Sequence, residues 1–277
     1  MPAEDGSPLH GVVQEPPSGA AEAAVLHVHG KGGNFYSGPP RVLPPLIAPD
    51  RFVHLSLNLR CHDLAYSRLG DAAGIAPGPG AAYGGMWERL DEGAADLDAG
   101  VRWLHDHTGL PVVLVTHSAG GYFLGDYSVR RPPVAGRVFL SPLTSVRFPL
   151  SAWWPDDDQL RDVGRQAEEM VASGDGHLLI PVPSWYYAIS AASLVERLHE
   201  RPGRWLDGCN ASDVPVLLAF GGAETRAAEW RSLFAQLTAP QKVMLELPGA
   251  GHSYDGAHRP LADAIAAFVG DVLPGFQ

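Results

Sequence analysis

One serine in the chain stands where a nucleophile could be presented. It is Ser118, in the stretch VVLVTHSAGGY of residues 112–122, where an apolar run leads directly into it. A nucleophilic serine is best exposed at a sharp turn from a strand into a helix, and the residues two before and two after it must be small. Gly120 meets that requirement, whereas Thr116 strains it. We therefore expect Ser118 to be a nucleophile; the alternative is a serine that caps the following helix.

A serine hydroxyl needs a base, and a histidine oriented by a carboxylate is the usual one. In one common arrangement the three groups follow each other along the chain as serine, acid and histidine. His252, in the stretch LPGAGHSYDG after the last apparent strand, fits the final position. Glu224 follows the apolar run of residues 215–220 and fits the acid. Asp213, which precedes that run, and Asp255, which is very close to the histidine, remain alternative acids.

The glycine-rich stretch VLHVHGKGGNFYSG, residues 25–38, could stabilise an oxyanion. Acyl transfer needs fixed N–H donors, and glycines let backbone amides approach the developing charge. We expect one donor from Lys31 or Gly32 and the other from Ala119. A phosphate-binding loop is the competing interpretation, but the Gly-Lys-Ser/Thr ending of such a loop is missing and so is the dinucleotide-binding spacing.

The histidines near these motifs are expected to have structural roles, and those without a motif around them to lie on the surface. His27 and His29 share one face of a strand, but no further ligand has the spacing of a metal site, so no metal is predicted. We expect His29 to support the glycine-rich loop and His27 to be buried. His117 should pack beside the turn, and His54 is expected to be structural.

Strands and helices must alternate to bring these groups together. Apolar runs typical of buried strands cover residues 24–29, 52–59, 112–116, 137–140, 215–220 and 243–247. Helical spacing covers residues 86–107, 118–130, 225–237 and 259–272. Such alternation predicts an α/β fold with a mostly parallel central sheet flanked by helices, and ligand sites in such sheets lie at the carboxyl ends of the strands. The glycine- and proline-rich stretch 71–85 should be a flexible loop.

The segment between Ser145 and Asp213 does not show this alternation of strands and helices. It shows no clear strand but has helical stretches around residues 160–172 and 188–199, and it is rich in aromatic residues. We interpret residues 145–212 as a cap inserted into a core made of residues 23–144 and 213–277, after an extension at residues 1–22. Five cap aromatics are candidates for the wall of a substrate pocket, with ordinary core packing as the alternative for each: Trp153, Trp154, Trp185, Tyr186 and Tyr187.

Composition excludes several classes of protein. The 277 residues carry a formal charge of −11, which repels phosphate backbones and anionic membrane surfaces. We therefore expect a small-molecule substrate and neither a nucleic acid nor a membrane partner; the oligomeric state is left open. The two cysteines, Cys61 and Cys209, make no disulfide framework. With no basic and apolar leader in the first residues, we expect a cytoplasmic protein.

Several stretches together resemble the α/β-hydrolase superfamily, from about Ala23 onward: HVHGKGGNFY, NLRCHD, GGMWERLDEGAADLDAGVRWL, THSAGG and GAGHSYDG. More narrowly, they are similar to a group of small hydrolases that includes fungal siderophore-ester hydrolases. The resemblance implies an α/β-hydrolase fold with an eight-stranded sheet and a cap, and a Ser118–His252–Glu224 triad that works without a cofactor. The departures are Thr116 for glycine, Glu224 for aspartate and Cys61 where that group tends to have glycine.

The functional hypothesis is a serine hydrolase that cleaves an ester, lactone or thioester of a small organic molecule through an acyl-enzyme. Two alternatives remain open. An acyltransferase or cyclase would use the same triad but pass the acyl group to an alcohol or amine. A non-catalytic protein could bind a ligand on the same scaffold, since a fold does not fix a function.

Overall fold

The computed structural model of the chain describes residues 1–67, 82–126, 134–184 and 187–273. Its strands are β1 His10–Gln14, β2 Ala23–Val28, β3 Phe52–Asn58, β4 Tyr66–Ser67, β5 Ala82–Tyr83, β6 Val112–His117, β7 Gly136–Leu140, β8 Leu179–Val182, β9 Tyr187–Ser190, β10 Val216–Gly221 and β11 Lys242–Leu247. Its helices are α1 Gly38–Val42, α2 Leu90–Thr108, α3 Gly120–Asp126, α4 Leu150–Trp153, α5 Asp157–Ala172, α6 Ala191–Leu198, α7 Arg204–Asn210, α8 Ala227–Gln236 and α9 His258–Val272.

The central sheet has the strand order β1-β3-β2-β6-β7-β10-β11 in the described residues. Its strands pair in parallel except β1, which runs antiparallel to β3 at one edge. Strands β2, β3, β6, β7 and β10 are buried along their whole length. Separate apolar clusters on the two faces explain this burial, because helices cover the sheet on both sides. The mostly parallel α/β sheet expected from the sequence is confirmed.

Helix α2 shows how the sequence attaches a helix to this sheet. Its apolar residues recur every three or four positions, so Leu97, Val101 and Leu104 lie on one buried face. A Cβ atom on Gly100 would lie 2.7 Å from the side chain of Leu57, so glycine allows the close approach of helix and strand. The helix ends where Gly109 takes the left-handed conformation at φ 67°.

The structure departs from the sequence-based expectations in the sheet and in the loop. Residues 1–22 are more than an extension, since they contribute β1 to the sheet edge. The sheet has seven strands in the described residues, one fewer than the resemblance implied. Most of the loop expected at residues 71–85 lies outside the described residues, but its end forms β5, which pairs with β4.

The inserted segment also contains strands that sequence analysis missed. Strands β8 and β9 form an antiparallel hairpin, in which Pro181 lies opposite Ala188. This hairpin and helices α4, α5 and α6 enclose an apolar cluster of their own. Helix α7, which was assigned to the cap, packs instead against α3, and the indole of Trp205 donates to the carbonyl of Gly121 at 2.9 Å. None of the described helices is long and apolar enough to span a membrane.

Candidate active site

Ser118 occupies the turn between β6 and α3, and its backbone is strained. Its φ is 53°, in the left-handed region that costs a non-glycine residue about 1–3 kcal/mol. Three hydrogen bonds hold this conformation: the Ser118 amide donates to Leu140 at 2.9 Å, and its carbonyl accepts from Leu143 at 2.8 Å and from Gly121 at 3.0 Å. Thr116 fits because its hydroxyl turns to the neighbouring strand and donates to Val138 at 3.3 Å. The sharp turn from strand to helix expected at Ser118 is therefore present, and the serine itself is half-buried.

Two glycines make room around this turn. A Cβ atom on Gly120 would lie 2.5 Å from the carbonyl oxygen of His29, so α3 could not approach β2 with any larger residue there. A Cβ atom on Gly30 would lie 2.8 Å from Cβ of Ser118. The glycine-rich loop and the serine are thus in direct contact.

His252 and Glu224 are hydrogen-bonded to each other. Nδ1 of His252 lies 2.7 Å from Oε2 of Glu224, while the backbone amide of Gly221 donates to Oε1 at 3.0 Å. Burial would raise the pKa of Glu224, but hydrogen bonds from His252, Ser141 and Gly221 outweigh it and hold that pKa below its usual value. An ionised Glu224 can only accept, so Nδ1 of His252 carries the proton and Nε2 is left as the basic nitrogen.

Ser141 and Tyr254 complete the surroundings of Glu224, and sequence analysis missed both. The Ser141 hydroxyl donates to Oε1 of Glu224 at 2.5 Å and lies 2.6 Å from the Tyr254 hydroxyl. Since Ser141 donates to Glu224, Tyr254 is the donor of this second contact, and its one hydroxyl proton is shared between Ser141 and the carbonyl of Ala219 at 3.1 Å. The one available signal was position: Ser141 directly follows a buried strand, as Ser118 does.

Of the alternative acids, neither is the carboxylate that binds His252. Asp213 is exposed and precedes β10, at the opposite end of that strand from Glu224, and Asp255 is exposed in the loop that carries the histidine. The described contacts of His252 with a carboxylate are those with Glu224.

The neighbouring histidines are neutral supports. Nε2 of His117 donates to the carbonyl of His252 at 2.9 Å, and the two rings are 4.6 Å apart. His29 accepts from the Leu59 amide at 3.1 Å and donates to the carbonyl of Gly30 at 2.7 Å. Burial lowers the pKa of both rings to about 4. His29 thus supports the loop as expected, and His117 packs against the loop of His252.

The backbone amides expected to bind an oxyanion lie in the glycine-rich loop and directly after Ser118. Within the described residues, the backbone amides of Lys31, Gly32 and Ala119 donate to no protein acceptor. The loop is held at its far end by Asp63, which accepts from the Asn34 side chain at 2.6 Å. The loop is therefore anchored while its amides remain available to a ligand.

Three of the five cap aromatics are described by the structure, and all three are buried. Trp153, Trp154 and Tyr187 are exposed by only 6%, 2% and 3%, and they belong to the apolar cluster of the cap. Trp185 and Tyr186 lie outside the described residues. The assignment of all five cap aromatics to the wall of a substrate pocket stays a prediction.

Comparison with known proteins gives a family and a fold. A model of the alpha/beta hydrolase family matches residues 25–268. Est1E from Butyrivibrio proteoclasticus, solved with ferulic acid bound, is 14% identical with a TM-score of 0.69, and the match covers 96% of each chain. A soluble variant of monoglyceride lipase from Saccharomyces cerevisiae is 14% identical with a TM-score of 0.66, covering 94% of this chain and 90% of that one.

A third solved structure, dienelactone hydrolase from Anabaena variabilis, is 16% identical with a TM-score of 0.58, covering 95% of this chain and 92% of that one. At such identities the likeness shows the fold alone. A search among curated protein sequences gave no match.

Proposed function

The chain belongs to the α/β-hydrolase family, and from this premise we propose that it is a serine hydrolase that cleaves an ester, lactone or thioester of a small organic molecule. One observation carries the proposal: the hydrogen-bonded pair of His252 and Glu224 lies at the carboxyl edge of the sheet, beside the strained turn of Ser118. Nucleophile, acid and base follow each other along the chain in the order typical of the family's hydrolases.

The first half of the reaction acylates the enzyme. Oγ of Ser118 attacks the substrate carbonyl while Nε2 of His252 takes its proton, and the ionised Glu224 stabilises the imidazolium that forms. The amides of Ala119 and of Lys31 or Gly32 donate to the oxyanion. When this intermediate collapses, the bond to the leaving oxygen or sulfur breaks and His252 returns the proton to it.

The second half releases the acid. Water attacks the acyl-enzyme, His252 accepts a proton from that water, and the bond to Oγ breaks as His252 protonates Ser118. Side chains, backbone amides and water suffice for every step.

The substrate class draws support from the proteins with the same fold. Their names identify a monoglyceride lipase, a dienelactone hydrolase and esterases, so this architecture serves esters and lactones elsewhere. In this chain we propose that the aromatic cluster of the cap lies above the apolar part of the substrate. Leu64 and Met86 pack against that cluster, and Leu64 also lies beside Gly32 of the glycine-rich loop.

Labelling with a fluorophosphonate tests the nucleophile without knowledge of the substrate. We expect one adduct per chain, located by peptide mass spectrometry on Ser118, and no adduct in the Ser118→Ala variant. Ser253, next to the base, provides a control, since Ser253→Ala should be labelled like the wild type. Folded wild-type protein that reacts elsewhere or not at all would refute the proposal. A screen of esters of graded chain length, lactones and thioesters would then define the substrate.

A further inference from the structure

The side chain of Lys31 leaves the glycine-rich loop and enters the boundary between core and cap. Its ammonium donates to the carbonyl of Gly85 at 2.8 Å and to Oε2 of Glu88 at 3.0 Å. Only 14% of the side chain is exposed. Lysine is rarely buried to this degree, so the position of this ammonium calls for a reason.

The two acceptors of Lys31 are shared with the cap. The hydroxyl of Tyr187, in β9, donates to the same carbonyl of Gly85, and Arg197, in α6, pairs with the same oxygen of Glu88. Glu88 and Arg197 are almost fully buried. Each acceptor therefore joins the glycine-rich loop to one element of the cap.

Aromatic rings of the cap enclose the ammonium. It lies 5.1 Å from the ring centre of Tyr187 and 5.9 Å from that of Trp153, within the range of cation–π attraction. Burial lowers the pKa of Lys31 to about 8, although Glu88 acts in the opposite direction. Since burying a charge is costly, this arrangement is maintained only where loop and cap are both in place.

We propose that Lys31 is a positioning residue: its ammonium fixes the glycine-rich loop to the cap, so that the amide donors of residues 31 and 32 are in place only when the cap is seated. The inference rests on the proposed function, because it assigns those amides to the oxyanion. An oxyanion donor must be placed within about 0.5 Å of its productive position, and the backbone of a glycine-rich loop does not supply that precision alone.

The test compares Lys31→Met with a matched control. Lys31→Met keeps an unbranched side chain and leaves Glu88 paired with Arg197, so no buried charge loses its partner. The control is Glu196→Gln. Glu196 is the neighbour of Arg197 on α6, and it joins the cap to the core by accepting from Arg89 at 2.5 Å and from the Leu90 amide at 3.1 Å. Among the described residues, its hydrogen bonds and ion pairs do not involve the glycine-rich loop.

The readouts are the rate of fluorophosphonate labelling at Ser118, kcat and KM on an activated aryl ester, and the affinity for an aryl trifluoromethyl ketone, whose adduct carries an oxyanion. We expect Lys31→Met to lower the labelling rate, kcat and ketone affinity by about 10- to 100-fold, with KM changed less than about threefold. Lys31→Arg should recover part of the loss. Glu196→Gln should stay within about twofold of the wild type even if its Tm falls.

Three outcomes would overturn the inference while the proposed function stands. Lys31→Met could be labelled at the wild-type rate. Its loss could be confined to KM, which would make Lys31 a substrate-binding residue. Glu196→Gln could lose the same activity, which would indicate general loosening of the cap. By contrast, absence of labelling at Ser118 in the wild type would refute the proposed function itself.

Discussion

The two carboxylate oxygens of Glu224 have separate partners. Oε2 binds the imidazole of His252, while Oε1 accepts from Ser141 and from the Gly221 amide. Glutamate is one methylene longer than aspartate and has one more rotatable bond, so its carboxylate needs more anchoring to orient a histidine. Ser141, itself hydrogen-bonded to Tyr254, supplies part of that anchoring.

Replacing Ser141 tests this division. In Ser141→Ala we expect kcat to fall about 10-fold at nearly constant KM, because the carboxylate loses a fixed position. The pKa of Glu224, followed by 13C NMR, should rise in this variant, because the Ser141 hydroxyl is one of the donors that hold that pKa below its usual value. Tyr254→Phe leaves the Ser141 donor in place and should cost only about two- to threefold. An unchanged rate together with an unchanged pKa of Glu224 in Ser141→Ala would contradict the role.

Ser141 and Tyr254 are residues of the candidate site that the sequence did not predict. Ser118, Glu224 and His252 could be proposed because each follows an apolar run in a recognisable order. The role of Ser141 depends on which strands are neighbours in the sheet and on Tyr254, in a loop more than a hundred positions away. No local pattern contains that information.

At the scale of elements, the turn at Ser118 depends on the distance between β2 and α3. Gly120→Ala would place a methyl group 2.5 Å from a backbone oxygen, which cannot rotate away. We expect a loss of about 1–3 kcal/mol in the free energy of unfolding and a fall in activity of at least about 10-fold. Gly270→Ala, in α9 with open space at its Cβ position, should be neutral or stabilising. Urea unfolding and labelling kinetics of both variants are the measurement, and equal behaviour would contradict the packing argument.

Some strands have a pattern in the local sequence that predicts them, and others do not. The buried parallel strands were predicted to within one residue at each end, because strands covered on both faces are continuous apolar runs. Strand β1 was missed because it is short, contains Gly11 and is largely exposed at the sheet edge. Strand β8 contains a proline and alternates between exposed and buried residues, so its run is neither continuous nor long.

At the scale of the whole molecule, burial of neutral histidines makes the fold sensitive to mild acid. Burial lowers the pKa of His29, His54 and His117 from 6.5 to about 4, and that of His27 well below 6.5. Between these values the unfolded chain binds protons that the folded chain does not. The contribution of these neutral rings to the free energy of unfolding is therefore complete above pH 6.5 and is lost as the pH falls toward 4.

We therefore expect the free energy of unfolding to fall between pH 6.5 and 5 by up to about 1.4 kcal/mol per pH unit for each buried histidine. Urea unfolding at pH 7, 6 and 5 measures it, and proton uptake on unfolding should rise over the same interval. His10, exposed on β1, provides a control, because His10→Gln should leave this slope unchanged. A flat profile between pH 7 and 5 would contradict the assignment of neutral buried rings.

The groups proposed for catalysis lie just beyond the ends of β2, β6, β7, β10 and β11, and only the pairing of these strands brings them together. No contiguous fragment of the polypeptide contains a working subset of them. Partly assembled intermediates would then be chemically inert, and newly synthesised chains would acquire reactivity only after the carboxyl-terminal strand has joined the sheet.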